Sequence, residues 1–296
     1  MRQRISVIIP SYNSSQTIQY TLDGLLAQKG DWLKEIIVVD SSDDGKIDEL
    51  IMRYKSKVIK FINSGVRVIP AKGRNIGASK AKGDLLVFLD ADVIPVKDLL
   101  ENIIAANGKG YKAGSGSVIM ADFQGKNSIV VAQYYLQLSE YVPAGPERTM
   151  EFPVGCAVFC EKQIFFKSGG YPEIRAAEDV LLGQAINKIT PIWFVPNVCV
   201  AHIFREELKG FLSNQRLLGK YAAIYRKKNS GSFFLNGGIV LVLFPLYYFY
   251  KLVLVMNRIL HIGEGHFFKL AGVFPHFLLG VFFWTVGFTE GSRERG

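Results

Sequence analysis

Asp90 and Asp92, separated by Ala91, follow directly on the apolar run Leu85-Leu86-Val87-Phe88-Leu89. Two carboxylates at the end of a buried strand offer hard oxygen donors of the kind magnesium and manganese prefer, and those ions in turn bind phosphate oxygens. A second acidic pair, Glu178-Asp179, precedes Val180-Leu181-Leu182, whose apolar positions read as a helix beginning at the pair. Acidic residues in a first turn are favoured by the helix dipole, so the pair also has a purely structural explanation. His202 follows the strand-like Val198-Cys199-Val200-Ala201. Its neutral imidazole accepts a divalent ion and its imidazolium pairs with phosphate; a hydrogen-bonded strand-end histidine is the plainer alternative.

These groups need elements that bring them together. Ser6-Val7-Ile8-Ile9, Glu35-Ile36-Ile37-Val38-Val39 and Leu85 to Leu89 are short, continuous apolar runs, as expected of strands buried on both faces. Between the first two, Ile18, Leu22, Leu25 and Leu26 recur at helical spacing, and Ser14 is placed to cap that helix. Strands alternating with helices predict an open, mostly parallel α/β sheet flanked by helices, with ligands at the carboxyl ends of the strands. There the first strand ends in Pro10-Ser11-Tyr12-Asn13, the second in Asp40-Ser41-Ser42-Asp43-Asp44-Gly45 and the third in Asp90-Ala91-Asp92. No GxGxxG follows the first strand and no GxxxxGK[ST] is present, which removes dinucleotide-dependent hydride transfer and P-loop chemistry.

With 296 residues, 49% hydrophobic and 21% charged, the chain can bury a core and does not have the composition of a disordered protein. Cys156, Cys160 and Cys199 make neither a disulfide framework nor a zinc pattern, which suits a reduced compartment. Met1-Arg2-Gln3-Arg4 is followed by too short an apolar stretch for a signal peptide, so the N-terminal part is expected to stay cytosolic. A net charge of +9 calls for an anionic partner, but no groove-reading motif accompanies it, and nucleic acid is not expected.

The composition changes near residue 230. Residues 231–296 carry two apolar runs, read as candidate helices at about 233–256 and 268–289, each long enough for a bilayer core of ~30 Å. Two buried helices of a large soluble core are one alternative; interfacial or re-entrant segments are another, since Lys251, Pro245 and Pro275 weaken straight spans. Arg226-Lys227-Lys228 just before the first run favours the cytoplasmic, anionic leaflet, and a hairpin would return Arg293 and Arg295 to the same side. The expected division is a catalytic domain over 1–230 and a membrane-associated helical segment over 231–296.

Over residues 4 to 230 the sequence resembles the family 2 glycosyltransferases with the GT-A fold. The likeness is carried by Val7-Ile8-Ile9-Pro10-Ser11-Tyr12-Asn13, by Glu35 to Asp40 with Ser41 to Gly45, and by Gly73-Arg74-Asn75-Ile76-Gly77-Ala78-Ser79 with Gly83-Asp84 and Leu85 to Asp92. Val154-Gly155-Cys156-Ala157, Gly169-Gly170-Tyr171-Pro172-Glu173 and Glu178-Asp179 complete it in the same order. The pattern departs after the Gly155 strand, where such enzymes often carry an arginine and this chain has Glu161-Lys162, and the loop from Gly110 to Thr149 matches nothing in it.

The resemblance implies a nucleoside-diphosphate sugar donor and a divalent metal, Mn2+ or Mg2+. Pro10, Tyr12, Asn13 and Asp40 would line the nucleotide site, with Asp40 on the base. Asp92 would be the direct metal ligand, and Asp90 would lie nearer the ribose or be bound through water. Arg74, expected to open a helix after Pro70-Ala71-Lys72-Gly73, is suited by its donor fork to reach the nucleotide. His202 would be a further metal or diphosphate ligand. A carboxylate opposite the leaving group must take the acceptor's proton, and Asp179 is the candidate, with Glu178 orienting it; such a base implies inversion. The acceptor expected beside an anchor is a lipid-linked or cell-envelope glycan at the cytoplasmic face of the membrane. A nucleotidyltransferase and a catalytically silent membrane-associated relative are the rival readings.

Overall fold

The computed structural model describes residues 3–230 and 235–294, the side chains of 228–230 excepted. The Lys228 side chain, Met1 and Arg2, the start of the first apolar run at 232–234, and Arg295 therefore lie outside the described residues.

In chain order the elements of the first part are β1 (Ile5–Ser11), α1 (Ile18–Leu26), β2 (Leu33–Asp40), α2 (Lys46–Tyr54), β3 (Ile59–Asn63), α3 (Pro70–Lys80), β4 (Leu85–Leu89) and β5 (Val93–Pro95). There follow α4 (Leu99–Gly108), β6 (Ala113–Met120), α5 (Ser128–Leu138), β7 (Arg148–Met150), β8 (Ala157–Glu161), α6 (Lys162–Lys167), α7 (Glu178–Asn187) and β9 (Ile192–His202). The chain ends in α8 (Leu208–Ser230), α9 (Gly237–Val242), α10 (Phe244–Ile262), α11 (Glu264–Ala271) and α12 (Phe274–Arg293). Two compact units form: Met1–Ile119 with Pro143–Ile203, and Met120–Val142 with Phe204–Gly296. The second unit thus begins earlier than residue 230 and takes in an internal segment.

Among the described residues the strands form one sheet in the order β3-β2-β1-β4-β8-β6-β9-β5, with β7 on β9. The expectation of a mostly parallel sheet is corrected here. β1 runs parallel to β2 and β4, and β2 to β3, but β4 with β8, β6 with β8, β5 with β9 and β7 with β9 are antiparallel. The sheet is mixed because the parallel part, built from strand-helix repeats, ends at β4, after which the chain returns without a helical crossover of that kind. Ile8, Ile37, Val39, Leu86, Phe88 and Val158 anchor the core on one face of this sheet.

Local details set the site. α3 lies close on β1 because its facing residues are glycines: a Cβ on Gly73 would come 3.1 Å from Pro10 Cβ, and one on Gly77 would come 2.5 Å from Ile8 Cγ2. That helix begins at Pro70, so Arg74 sits inside it and not at its start. The α1 helix is not capped by the Ser14 side chain; Ser14 offers its carbonyl to the Thr17 and Ile18 amides while its hydroxyl meets Ser11 Oγ at 2.6 Å.

In the second unit, no single helix among the described residues is long and apolar enough to cross a membrane. α11 and α12 pass that test together but are bent by 83° at their break. Pro245 and Pro275 each open a helix, at the start of α10 and α12, where a missing amide costs nothing. α8 and α12 approach closely through Gly219, Gly287 and Gly291, where a Cβ would overlap the facing backbone at Trp284, Arg216 and Lys220 respectively. No rotamer relieves a clash with backbone. Gly287→Ala is therefore expected to destabilise the protein by about 3 kcal/mol, read as a lower urea midpoint at unchanged slope.

Candidate active site

The first unit gathers its polar side chains where the strand ends converge, on three neighbouring foundations. At the ends of β1 and β2, Ser11 pairs in register with Asp40, and Asp40 with Asn63 of β3. Asp40 is 2% exposed. Its carboxylate accepts from the Ser42 hydroxyl at 2.9 Å and the Ser42 amide at 3.2 Å, and the same hydroxyl accepts from the Asn13 amide at 2.7 Å. Asn13 has φ +52°, a left-handed conformation that asparagine tolerates better than most side chains. Ser42 thus ties Asp40 to Asn13. Tyr12 is exposed, with the Arg67 guanidinium 4.4 Å from its ring centroid. Pro10 is half-buried against Gly73.

The second foundation is the turn from β4 into β5. Asp90 comes immediately after β4 and Asp92 immediately before β5. Val93 of β5 is in register with His202 of β9, and the Ile203 amide donates to the Asp92 carbonyl at 2.8 Å. That ladder end sets His202 Nε2 3.7 Å from Asp92 Oδ1. Among the described residues no group of three or more His, Cys, Asp or Glu is gathered to hold a metal ion alone. A hard oxygen and an imidazole nitrogen side by side do suit a divalent cation that takes its remaining donors from phosphate oxygens and water. Asp92 and His202 are therefore the residues that would hold one.

The third is the start of α7, where Ala177 at φ +65° turns the chain sharply into Glu178 and Asp179. Arg74 joins this end to the second foundation. It is 3% exposed, and its Nη1 donates to Glu178 Oε1 at 3.0 Å while Nη2 donates to Asp90 Oδ1 at 2.5 Å and the Gly155 carbonyl at 3.5 Å. Its fork is thus committed to protein acceptors. The guanidinium also lies 5.1 Å from the ring centroid of Tyr171, a side chain 2% exposed. Burial, then the nearby carboxylates Asp179, Glu178 and Asp90, push the Tyr171 phenol well above its ordinary range, and Arg74 opposes them. Asn75 fixes that loop from α3, accepting from the Tyr171 amide at 2.9 Å and donating to the Tyr171 carbonyl at 2.7 Å.

Asp179 is pushed up to about 6, first by burial and then by the Glu178 carboxylate; the Val180 amide and Arg74 pull the other way. Its Oδ2 would lie 3.3 Å from a Cβ on Gly155, so a side chain there would crowd the carboxyl. Next to Gly155, Cys156 is buried, and its thiol is pushed far up by burial and by Asp90 and Asp92. Such a thiol is inert.

The sequence alone does not single out Ser42, Tyr171, Asn75 or Gly155, although each lies in one of the segments that carry the family resemblance. Ser42 follows Asp40 at a spacing typical of a turn that bonds its own carboxylate, a usable signal. The Arg74 partnership spans 104 residues to Glu178 and leaves no local trace.

The model of the family described as "Glycosyl transferase family 2" matches residues 6–168. Among curated proteins, the amylovoran biosynthesis glycosyltransferase AmsB of Erwinia amylovora is 32% identical over 184 residues, 60% of each chain. The poly(ribitol-phosphate) beta-N-acetylglucosaminyltransferase TarS of Staphylococcus aureus is 28% identical over 155 residues, 50% of this chain and 25% of its own. The chain spans about 60% or less of the length of these relatives. Among solved structures, a mannosyltransferase of Pyrobaculum calidifontis in complex with GDP-Man and Mn2+ superposes with TM-score 0.63 at 16% identity, over 97% of this chain and 86% of its own. TarS 1–349 of S. aureus in complex with UDP-GlcNAc gives 0.55 at 16%, over 98% and 92%. At such identity these structures speak for the fold.

Proposed function

The chain belongs to glycosyl transferase family 2, and from that membership we propose that it transfers a sugar, with inversion, from a nucleoside-diphosphate sugar to an acceptor hydroxyl. The observation that carries the reading is Asp179: a carboxyl pushed up to about 6, at a helix start, linked through Glu178, Arg74 and Asp90 to the strand end that bears Asp92. A base of that strength is ionised at neutral pH yet takes a proton readily.

In this reading the β1 and β2 ends receive the nucleotide, with Asp40 on the base and Tyr12 and Asn13 beside it. Asp90, held by Arg74, faces the donor's ribose. A divalent cation held by Asp92 and His202 supplies, when bound, stabilisation of the charge that develops on the departing diphosphate. Asp179 takes the proton of the attacking hydroxyl from the side opposite the leaving group. Glu178, fixed by Arg74, keeps Asp179 and the acceptor oriented. A cell-envelope or lipid-linked glycan is the acceptor we favour, supported by relatives named for amylovoran biosynthesis and for transfer to poly(ribitol-phosphate). The reaction's location in this reading is the cytoplasmic face of the membrane, supported by the basic, apolar C-terminal composition.

The test is incubation with a panel of nucleotide sugars and Mn2+ or Mg2+, measuring nucleoside diphosphate released. Turnover with none of them, or pyrophosphate as product, overturns the reading. Because Asp179 acts only after losing its proton, activity is expected to rise with pH through about 6. A profile flat from well below to well above that value would remove Asp179 from the role.

A further inference from the structure

We propose that the C-terminal helices dock in the plane of an anionic lipid bilayer, lying in one leaflet without crossing it. The inference deepens the membrane location proposed above and rests on it, but not on the transfer chemistry.

α10 carries apolar side chains on both of its faces. Val255 and Ile259 are fully buried within the second unit. Leu246, Phe249, Tyr250, Val253 and Leu260 are each more than half exposed, and at ~100° per residue they fall within an arc of about 100° on the other side. Nothing in the core requires that outward stripe. Val242 of α9, Phe268 of α11 and Phe282 of α12 repeat the exposure on the neighbouring helices.

The breaks between these helices decide against a span. α10 ends at Gly263, whose φ of +137° begins a new direction, and α11 meets α12 at 83°. Helices with one apolar face outward, set at an angle to one another, suit the boundary between headgroups and acyl chains, where that face inserts and polar flanks stay wet.

Charge names the occupant. From Phe204 to Gly296 the chain has twelve Lys and Arg against five Asp and Glu. α10 has no Asp or Glu; its charged side chains are Lys251 and Arg258, with the histidine His261 near its end. Lys251 and Arg258 lie away from the apolar stripe and are engaged within the unit, the Lys251 ammonium 4.9 Å from the Trp284 ring centroid and Arg258 paired with Glu140 at 2.6 Å, so it is the net cationic excess from Phe204 onward that bears on the occupant. A symmetric contact with a second copy would bring like charges together, whereas anionic headgroups neutralise them.

Purified full-length protein mixed with preformed vesicles and floated on a density gradient tests this. Binding to phosphatidylglycerol-containing vesicles is expected, weaker by about tenfold or more with phosphatidylcholine alone and reduced by salt. The double variant Phe249→Glu/Val253→Glu alters two exposed side chains and is expected to weaken partitioning about a hundredfold, with the far-UV spectrum and nucleotide-sugar turnover unchanged. With Glu264→Cys, at the break between α10 and α11, a membrane-impermeant maleimide added outside the vesicles is expected to label residue 264, located by peptide mapping. Protection of that cysteine would mean a crossing and overturn the in-plane arrangement. No flotation on either vesicle, or self-association abolished by the double variant in place of lipid binding, would overturn the docking. Absence of vesicle binding by the wild-type protein with intact turnover would count against the docking alone and leave the transferase reading standing.

Discussion

Asp179→Asn is expected to lower turnover ~10²–10⁴-fold while leaving the protein folded, the loss typical of removing a positioned general base. The amide keeps the shape of the carboxyl and still offers an oxygen to the Val180 amide, which the Asp179 Oδ1 accepts at 2.8 Å in the native protein. It also removes a half-buried charge beside Glu178, so thermal stability is not expected to fall. Measured against the best donor, the substitution should act on kcat with the donor's KM little changed, because the proposed role of Asp179 is on the acceptor side. The limb of the pH profile near 6 should disappear with it. Retention of most of the wild-type rate would assign the proton transfer elsewhere.

Arg74→Ala is expected to cost about 3 kcal/mol of stability and most of the activity. Removing a buried cation leaves its partners as uncompensated carboxylates, which is the expensive way to break a buried ion pair. Glu178 is largely buried, while Asp90 is one-third exposed and recovers some hydration, which holds the cost near the lower end. Arg74→Lys is not expected to rescue it. One ammonium cannot reproduce two nitrogens that reach Glu178 and Asp90 separately. The informative readout is a combined one: urea unfolding for stability, and donor KM against kcat under conditions where the variant is fully folded. If Arg74→Lys restored both, the fork would not be what matters.

The parallel half of the sheet was legible because β1, β2 and β4 are uninterrupted apolar runs, and such runs arise where a strand is covered on both faces. β6 was not. Its sequence, Ala-Gly-Ser-Gly-Ser-Val-Ile-Met, has neither an apolar run nor alternation. It is buried by proximity, since Gly114 and Gly116 leave room for Phe159 and Val198. Asp90, Asp92 and Glu178-Asp179 could be picked out by type and spacing, but not the environment that raises Asp179 or the arginine that joins the pairs. The first depends on burial in the folded chain and the second on the Arg74–Glu178 pair, 104 residues apart. In the C-terminal part the apolar content was evident from the sequence, whereas the breaks at Gly263 and before α12 are properties of backbone direction. Two prolines that look like kinks turn out to start helices.

Helix α3 presses its glycines on β1, sends Arg74 to the start of α7 and locks Tyr171 through Asn75. The segment from 169 to 187 therefore cannot be exchanged as a cassette. A chimera that imports another relative's segment from 169 to 187 arrives without the helix that cradles it, and should work only when residues 73 to 77 travel with it. Covariation imposed by hand at those two places, and not at the intervening strands, is the engineering rule this architecture sets.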